Sequence, residues 1–285
     1  MNSTERPDRT AITSTRSDRV RRIASLSGRS ARSRHGLFRV EGPQAVRSLL
    51  QQHPGSVRDL FLTERAETVH TELADLARSV GIPPVTVETD VLRAMVRDED
   101  SSGALISPQG VVATAVPVDV PLADALGTVA DGPATVVVLH EVRDPGNAGT
   151  LLRTADAAGA DLVVLTSGSV DVFAPKCVRS SVGSLFHVPV VVGVDPEQLY
   201  AALDEAGIVT AATSGYAEQD LFEVELPERL AWILGNEAHG LPEQVRGSAG
   251  LTVRIPLAGR AESLNVTTAA TVCLFEQLRR RRMRS

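Results

Sequence analysis

Three short blocks near the end of the chain carry residue types that could bind a small molecule. They are Leu234-Gly235-Asn236-Glu237-Ala238-His239-Gly240, Ile255-Pro256-Leu257-Ala258-Gly259 and Glu262-Ser263-Leu264-Asn265-Val266. The first two blocks follow apolar runs that are typical of buried parallel strands. Glycine at a strand end lets a ligand approach the backbone, and ligands of open parallel sheets bind beyond the carboxyl ends of the strands. We therefore predict one small-molecule pocket built from three loops.

A further block precedes these three and reads Asp144-Pro145-Gly146-Asn147-Ala148-Gly149-Thr150-Leu151-Leu152-Arg153-Thr154-Ala155. The blocks resemble the motifs of the SpoU (TrmH-type) RNA ribose 2′-O-methyltransferases of the SPOUT superfamily. The block that begins at Asp144 resembles the first of three motifs, and the three later blocks together resemble the second and third. They occur in that family's order over roughly residues 133 to 283. A single Gly-x-Glu would be a weak signal, whereas three motifs in order are specific.

The resemblance implies methyl transfer from S-adenosylmethionine to a ribose 2′-hydroxyl of RNA by a homodimeric enzyme. It implies an α/β protein whose C-terminal parallel-sheet domain, residues 133–285, contains a deep trefoil knot. Residues 17–115 resemble the small L30e-like substrate-binding domain of many such proteins, on the signature Arg39-Val40-Glu41-Gly42. Residues 1–16 are predicted to form a disordered basic tail and residues 116–132 a linker.

The hydrophobic pattern gives a fold prediction of its own. Residues 133–285 alternate strands with helices, ending in a long helix from Leu264 to Arg282, and this order predicts a doubly wound parallel sheet. Residues 17–115 alternate in the same way and predict a small three-layer domain, with one helix from Glu67 to Val80. Aromatic residues make up only 3% of the chain, so the cores must consist mainly of aliphatic side chains.

The resemblance assigns catalytic roles to five residues, namely Arg153, Asn147, Glu237, Ser263 and Asn265. Arg153 is either the group that activates the hydroxyl or an anchor for the target phosphate, and a guanidinium favours the second because its pKa exceeds about 12. Asn147 could cap its helix or contact substrate. Glu237 is expected to be buried and to position other groups rather than to act as a base. Ser263 and Asn265 could cap the last helix or face substrate.

The resemblance also assigns the ligand contacts. The donor is expected to be held by backbone groups and apolar walls at Leu234, Gly235, Asn236, Ile255, Leu257 and Leu264. Four basic residues are candidates for contacts with RNA, namely Lys176, Arg179, Arg34 and Arg39.

Charge along the chain is uneven. The net charge is −6, but residues 1–47 contain eleven arginines against four acidic residues. Arg279 to Arg282 and Arg284 form a second basic region at the C-terminus. Local basic regions are typical of phosphate contacts, although a solvated helix end would explain the C-terminal one equally simply.

Other features limit the compartment and the chemistry. Cys177 and Cys273 match no metal-ligand spacing, and His140, His187 and His239 are scattered, so we expect no metal. The N-terminus lacks a signal-peptide pattern, and no apolar stretch approaches the ~20 residues that span a bilayer. We therefore expect a cytoplasmic protein that does not contact membranes.

Other functions are compatible with an alternation of strands and helices. A dinucleotide-dependent oxidoreductase lacks its Gly-x-Gly-x-x-Gly block, and a nucleotide hydrolase lacks its Gly-Lys-Ser or Gly-Lys-Thr. A non-catalytic RNA-binding protein of the same fold remains an alternative, but all five motif residues are intact, which favours an active enzyme. Ribosomal RNA of the 23S type is the favoured substrate, because a separate N-terminal domain with basic flanks suits a large folded RNA. Transfer RNA is the alternative, and a resistance methyltransferase is a special case.

Overall fold

The computed structural model describes residue 12 and residues 14–97 and 109–284. These residues form two compact units. The first unit comprises the described part of Met1–Val118 together with Phe173–Phe186, and the second comprises that of Asp119–Val172 and His187–Ser285. Phe173–Phe186 was expected in the methyltransferase domain, so the chain leaves the second unit and returns to it.

The first unit is a mixed sheet with helices. Its elements before residue 118 are α1 (Asp18–Ser25), α2 (Arg29–His35), β1 (Phe38–Glu41), α3 (Pro43–Gln52), β2 (Val57–Leu62), α4 (Glu64–Val69), α5 (Thr71–Ser79), β3 (Val85–Thr86), α6 (Thr89–Met95) and β4 (Val111–Ala115). The strand order is β1-β4-β2-β3, in which β4 is antiparallel to both neighbours and β3 is parallel to β2.

One local expectation for the first unit was wrong, and a second stays a prediction. The predicted helix from Glu67 to Val80 is broken at His70, whose φ of −118° and ψ of 51° are not helical. The predicted disordered tail, residues 1–16, lies largely outside the described residues and stays a prediction, although Ile12 is buried in an apolar cluster with Val91 and Met95.

The second unit is built on one parallel sheet. The chain from residue 119 onwards contains α7 (Leu122–Thr128), β5 (Ala134–Leu139), α8 (Pro145–Ala157), β6 (Leu162–Thr166), α9 (Pro175–Ser181), β7 (Val190–Val194), α10 (Pro196–Glu205), β8 (Val209–Thr213), β9 (Gln219–Asp220), β10 (Arg229–Leu234), α11 (Glu243–Ser248), β11 (Leu251–Arg254) and α12 (Val266–Arg284). All of these helices except α9 belong to the second unit.

The seven strands run in the order β7-β6-β5-β10-β8-β11-β9, and every pairing is parallel. β5 is buried at every position, as expected for a central strand whose two faces are both covered by helices. The predicted α/β class and parallel sheet are thus confirmed. The trefoil knot stays a prediction.

The helix α9 and the residues around it pack on the first unit. The ring centroids of Phe38 and Phe173 are 4.8 Å apart, and those of Phe38 and Phe186 are 6.3 Å apart. Gly183 has a φ of +98°, and a Cβ there would lie 2.6 Å from the Ser48 Oγ. The aromatic contacts and the close glycine approach explain why this segment follows the first unit.

An arginine of β1 is at the centre of this packing. Arg39 is fully buried, and its Nε and Nη1 donate hydrogen bonds to Glu41 Oε1 and to the Met95 carbonyl, each at 2.7 Å. The other Glu41 oxygen accepts from Arg179 Nη1 at 3.1 Å. Arg39 is therefore not accessible to a phosphate, and its predicted contact with RNA is replaced by a structural role.

Helix α12 is tied to the second unit by polar contacts. The buried Trp232 donates its indole N–H to Gln277 Oε1 at 2.8 Å. Arg280 and Arg281 donate to the carbonyls of Leu221 and Glu228, both at 2.7 Å. These two C-terminal arginines thus stabilise the fold, which limits the phosphate contacts expected of the basic C-terminus.

No helix in the described ranges is long and apolar enough to cross a membrane. Those ranges also contain no group of three or more His, Cys, Asp and Glu side chains that could hold a metal ion.

Glu276 generates a prediction about acid stability. A hydrogen bond from Arg279, with the hydrogen bond and charge of Arg280, lowers the pKa of Glu276 from 4.5 to about 2 even though the carboxylate is buried. As the pH falls, the Glu276 carboxylate is therefore protonated in the unfolded chain before it is protonated in the folded chain. The stabilisation by Glu276 is therefore full above pH 4.5 and is lost as the pH falls towards 2.

We expect Glu276→Gln to lower the melting temperature at neutral pH, with a difference from the wild type that shrinks between pH 4.5 and 2. The control is Glu205→Gln, at an exposed position where α10 ends. A difference for Glu276→Gln that did not depend on pH would contradict the assignment.

Candidate active site

A cavity of about 490 Å³ opens at the carboxyl ends of the neighbouring strands β8, β10 and β11. It is lined by residues 213–215, 234–238, 240–241, 255, 257, 262–266 and 269. The three blocks that the sequence singled out therefore meet in one place. Parallel strands end at the same edge of a sheet, so residues far apart in sequence share this pocket.

The loop after β10 is stabilised by hydrogen bonds between its own residues. The backbone N–H groups of Asn236 and Gly240 each donate to the other residue's carbonyl, at 3.1 and 2.8 Å. The Asn236 side-chain oxygen accepts from the N–H groups of Ala238 and His239, at 2.9 and 3.3 Å. Asn236 was predicted to bind a cofactor, and its side chain shapes the loop that lines the cavity.

The same asparagine joins this loop to the turn after β5. Its Nδ2 donates to the carbonyl of Glu141 at 2.9 Å. Glu141 has a φ of +52°, in the left-handed region that residues other than glycine seldom adopt. Thr166 helps to hold this conformation, because its Oγ1 accepts from the Glu141 N–H at 3.1 Å. A strained residue held by two contacts thus starts the loop that leads into α8.

The carboxylate of Glu237 accepts three hydrogen bonds from the start of α8. The donors are the backbone N–H groups of Arg143 and Asp144, at 3.2 and 3.1 Å, and the side-chain amide of Asn147 at 3.1 Å. Partial burial raises the pKa of Glu237, but the bond from Asn147 and the backbone bonds outweigh it, so the pKa lies below 4.5. Glu237 is exposed rather than buried as predicted, and an ionised carboxylate with three donors suits positioning better than general base catalysis.

The cap of α8 is Asp144, which the sequence reasoning missed. Its Oδ1 accepts from the backbone N–H of Asn147 at 2.8 Å. Asp144 directly precedes Pro145, which is favoured in the first turn of a helix, so the cap could have been identified from the sequence. Asn147 is therefore not the cap, and its amide is directed to Glu237.

Arg153 lies two helical turns beyond Asn147. The spacing of three residues from Asn147 through Thr150 to Arg153 places them along one side of α8, while Leu151, Leu152 and Ala155 are buried. Arg153 is exposed. Throughout the described ranges, no hydrogen bond or ion pair engages its guanidinium, which leaves its N–H fork available for a ligand.

The third block forms the start of α12. Asn265 accepts the backbone N–H of Thr267 at 2.8 Å through its Oδ1, so it caps the helix. Ser263 and Asn265 are exposed and line the cavity. Asn265 therefore caps the helix and also lines the cavity.

The predicted cofactor residues Leu234, Gly235, Ile255, Leu257 and Leu264 all line the cavity. Sequence reasoning missed several further lining residues, namely Thr213, Ser214, Gly215, Leu241 and Ala269. The first three lie at the end of β8 and just after it, and they are polar residues or glycine, which is a signal that the sequence carries.

The predicted RNA contacts belong to the first unit. Lys176 is exposed on α9, whereas most of the Arg179 side chain is buried and bound to Glu41. Arg34 is exposed on α2. Of the four predicted residues, Arg34 and Lys176 thus have the accessibility that a phosphate contact needs.

Comparison with known proteins identifies the group to which this fold and pocket belong. Residues 134–275 match the SpoU rRNA Methylase family, and residues 39–121 match the domain described as RNA 2′-O ribose methyltransferase substrate binding. A 23S rRNA (guanosine-2′-O-)-methyltransferase RlmB from Pseudomonas putida is 32% identical over 252 residues, which cover 87% of this chain and 98% of that protein. The chain belongs to the SpoU rRNA methylase family.

Other members of the family share both units. The 23S rRNA (uridine(2479)-2′-O)-methyltransferase of Streptomyces viridochromogenes is 32% identical over 90% of this chain and 88% of its own length. The crystal structure of an AdoMet-bound rRNA methyltransferase from Sinorhizobium meliloti superposes with a TM-score of 0.80 at 29% identity, over 95% of this chain and 98% of that one. The family resemblance seen in the sequence is thus confirmed.

Gly235 generates a prediction for this site. A Cβ on Gly235 would lie 2.5 Å from the Gly240 carbonyl carbon and 2.6 Å from the Leu241 nitrogen, which are rigid backbone atoms. Gly235→Ala should therefore open the reciprocal hydrogen bonds between Asn236 and Gly240. Amide hydrogen exchange at these two residues is expected to become faster.

The matched control is Gly259→Ala, because a Cβ there meets nothing within 4 Å. This variant should leave exchange at Asn236 and Gly240 unchanged. Protection of both amides in Gly235→Ala would show that the loop tolerates a side chain.

Proposed function

We propose that this protein transfers a methyl group from S-adenosylmethionine to a ribose 2′-hydroxyl of 23S ribosomal RNA. The observation that carries the proposal is the bonding of Glu237, which belongs to the cavity loop, to the start of the helix that bears Arg153. These hydrogen bonds fix the position of the donor pocket relative to the arginine that faces the RNA. Action on ribosomal RNA implies a cytoplasmic enzyme.

The cavity suits the donor in size and lining. Small-molecule pockets typically have volumes of about 300–1,000 Å³ and apolar walls with a few polar groups, and this one is about 490 Å³. Leu234, Leu241 and Ile255 offer aliphatic walls to an adenine ring, and the backbone of the loop after β10 offers hydrogen-bonding groups. When bound, S-adenosylmethionine supplies a methyl group on a sulfonium that leaves as a neutral thioether.

Arg153 is assigned to the RNA. A guanidinium stays protonated at any physiological pH and is therefore a poor base. Its planar fork binds a phosphate through two parallel hydrogen bonds, and such a contact would fix the ribose next to the donor pocket. Holding the 2′-oxygen in line with the methyl group is the main requirement of a displacement reaction.

Glu237 and Asn147 are assigned to positioning. Their hydrogen bond fixes the first turn of α8 against the cavity loop, so that Arg153 projects from a helix of constant orientation. Ser263 and Asn265 at the start of α12 are assigned to the substrate side of the cavity. The proton of the 2′-hydroxyl passes to water, since the nearby carboxylate of Glu237 has a lowered pKa.

Ribosomal RNA is favoured over transfer RNA by the extent of the similarity. The rRNA relatives from Pseudomonas and Streptomyces cover both units of this chain. By contrast, a solved structure whose description concerns 2′-OH methylation of C/U34 on tRNA matches only 53% of this chain, with a TM-score of 0.50. Residues 39–121 match a substrate-binding domain, so we assign RNA recognition to the first unit and donor binding and chemistry to the second.

Methyl transfer from labelled S-adenosylmethionine to 23S rRNA tests the proposal, and two variants separate the roles. Arg153→Ala should keep donor affinity and melting temperature but lose activity by ~10²-fold or more, because a group that holds the reacting centre is gone. Gly235→Ala should lose donor affinity itself. Arg93→Ala, which changes an exposed arginine of the first unit, is the control.

Failure of the wild type to methylate 23S rRNA, together with methylation of transfer RNA, would overturn the substrate assignment. Activity of Arg153→Ala within a few-fold of the wild type would overturn its role in the reaction.

The homodimer is also proposed. Ala270 and Cys273 of α12 are buried within the second unit. The same helix exposes 43% of Phe275 and 75% of Met283, and large exposed apolar side chains are typical of interfaces. Sedimentation should give twice the chain mass of 30.2 kDa at micromolar concentration, and Phe275→Glu with Met283→Glu should give the monomer. A monomeric wild type would refute the proposal.

A further inference from the structure

The first two helices of the chain form a hairpin, residues 14–36, that precedes the substrate-binding match at residues 39–121. Its inner side carries Val20, Ile23, Leu26 and Ala31, all of which are buried. Gly36, with a φ of 60°, ends α2 and directs the chain into β1. Residues 14–36 are thus a fixed part of the first unit.

Two arginines of the hairpin have structural roles. Arg19 binds Asp59 of β2 at 2.6 Å, and its guanidinium carbon lies 5.2 Å from the centre of the Phe61 ring. Arg32 is buried and donates to the carbonyls of Leu26 and Ser27, at 2.8 and 2.6 Å, where α1 ends. Arg19 therefore fastens α1 to the sheet, and Arg32 fastens α2 to α1.

The remaining arginines are presented to solvent. Arg16, Arg22, Arg29 and Arg34 are exposed, and in the described ranges none of their side chains makes an ion pair or a hydrogen bond. The single acidic residue of residues 14–36 is Asp18, which pairs with Arg21. The packed hairpin thus presents four arginines whose positive charges are not neutralised by an acidic residue of the hairpin.

The residues that separate these arginines along the chain indicate the partner. Apart from Arg29, the exposed residues between Arg22 and Arg34 are all small, namely Ser25, Gly28, Ser30 and Ser33. None of the exposed large apolar side chains of the described residues lies in this hairpin, whereas protein interfaces depend on aromatic and aliphatic anchors. Small polar residues between arginines allow a phosphate backbone to approach closely.

We propose that the helical hairpin of residues 14–36 is an RNA-binding surface that grips the phosphate backbone through Arg16, Arg22, Arg29 and Arg34. The inference rests on the proposed function and adds a contact surface that lies before the matched substrate-binding domain. Arginine contacts to phosphates set position and affinity without reading sequence. The hairpin thus contributes affinity, and other parts of the first unit select the nucleotide.

Salt dependence of binding tests this surface. We compare full-length wild type with Arg16→Gln/Arg22→Gln/Arg29→Gln/Arg34→Gln, measuring filter binding to transcribed 23S rRNA over a series of KCl concentrations. Loss of four phosphate contacts should reduce the slope of log affinity against log salt by about 3. The KM for RNA should rise, while kcat at saturating RNA and affinity for S-adenosylmethionine stay unchanged.

The control removes the same charge from another part of the unit, as Arg58→Gln/Arg65→Gln/Arg78→Gln/Arg93→Gln, all at exposed positions. It should leave the salt slope near that of the wild type. Equal slopes for both variants, or an unchanged slope for the hairpin variant, would overturn the proposal.

Arg19 and Arg32 are kept in every variant, so the hairpin should remain folded and the melting temperature unchanged. If the quadruple variant melts early, Arg22→Gln and Arg34→Gln alone should each reduce the slope by about 1, and no change in either would overturn the proposal. Failure of the proposed function is a separate result, because the wild type would then transfer no methyl group to 23S rRNA at any salt concentration.

Discussion

The candidate active site depends on one carboxylate, that of Glu237, which joins two loops of the second unit. Glu237 belongs to the loop after β10, and its three donors belong to the turn and first helical turn that follow β5. β5 and β10 are neighbours in the sheet, so a short link suffices to join their loops. Because each oxygen of Glu237 is engaged, movement of the cavity loop would have to break bonds at the base of α8. The cavity and the helix that carries Arg153 are therefore joined directly by hydrogen bonds.

The sequence predicted the features that depend on local pattern. Strand ends marked by glycine, such as Gly235, and the long apolar runs gave the sheet class and the place of the pocket. Capping at α12 was also within reach, because Asn265 is a favoured N-cap residue type. These features follow from neighbours along the chain, which a sequence displays directly.

Features that depend on tertiary contacts were missed. Arg39 belongs to a segment rich in arginine and so was assigned to RNA, yet its burial is decided by Glu41 and by the carbonyl of Met95, far along the chain. The C-terminal arginines were likewise ambiguous, since Arg280 binds carbonyls in the segment before β10. Charge alone does not reveal whether a cation serves the fold or a ligand. That distinction needs the partner atoms.

The excursion of Phe173–Phe186 restricts how such proteins can be divided or recombined. A cut at the linker near residue 118 would leave Phe173, Phe186 and the helix between them attached to a fragment that lacks their packing partners. Exchange of the N-terminal module between relatives would have to exchange this internal stretch as well. The first unit is thus one compact body made of two separate stretches of the chain.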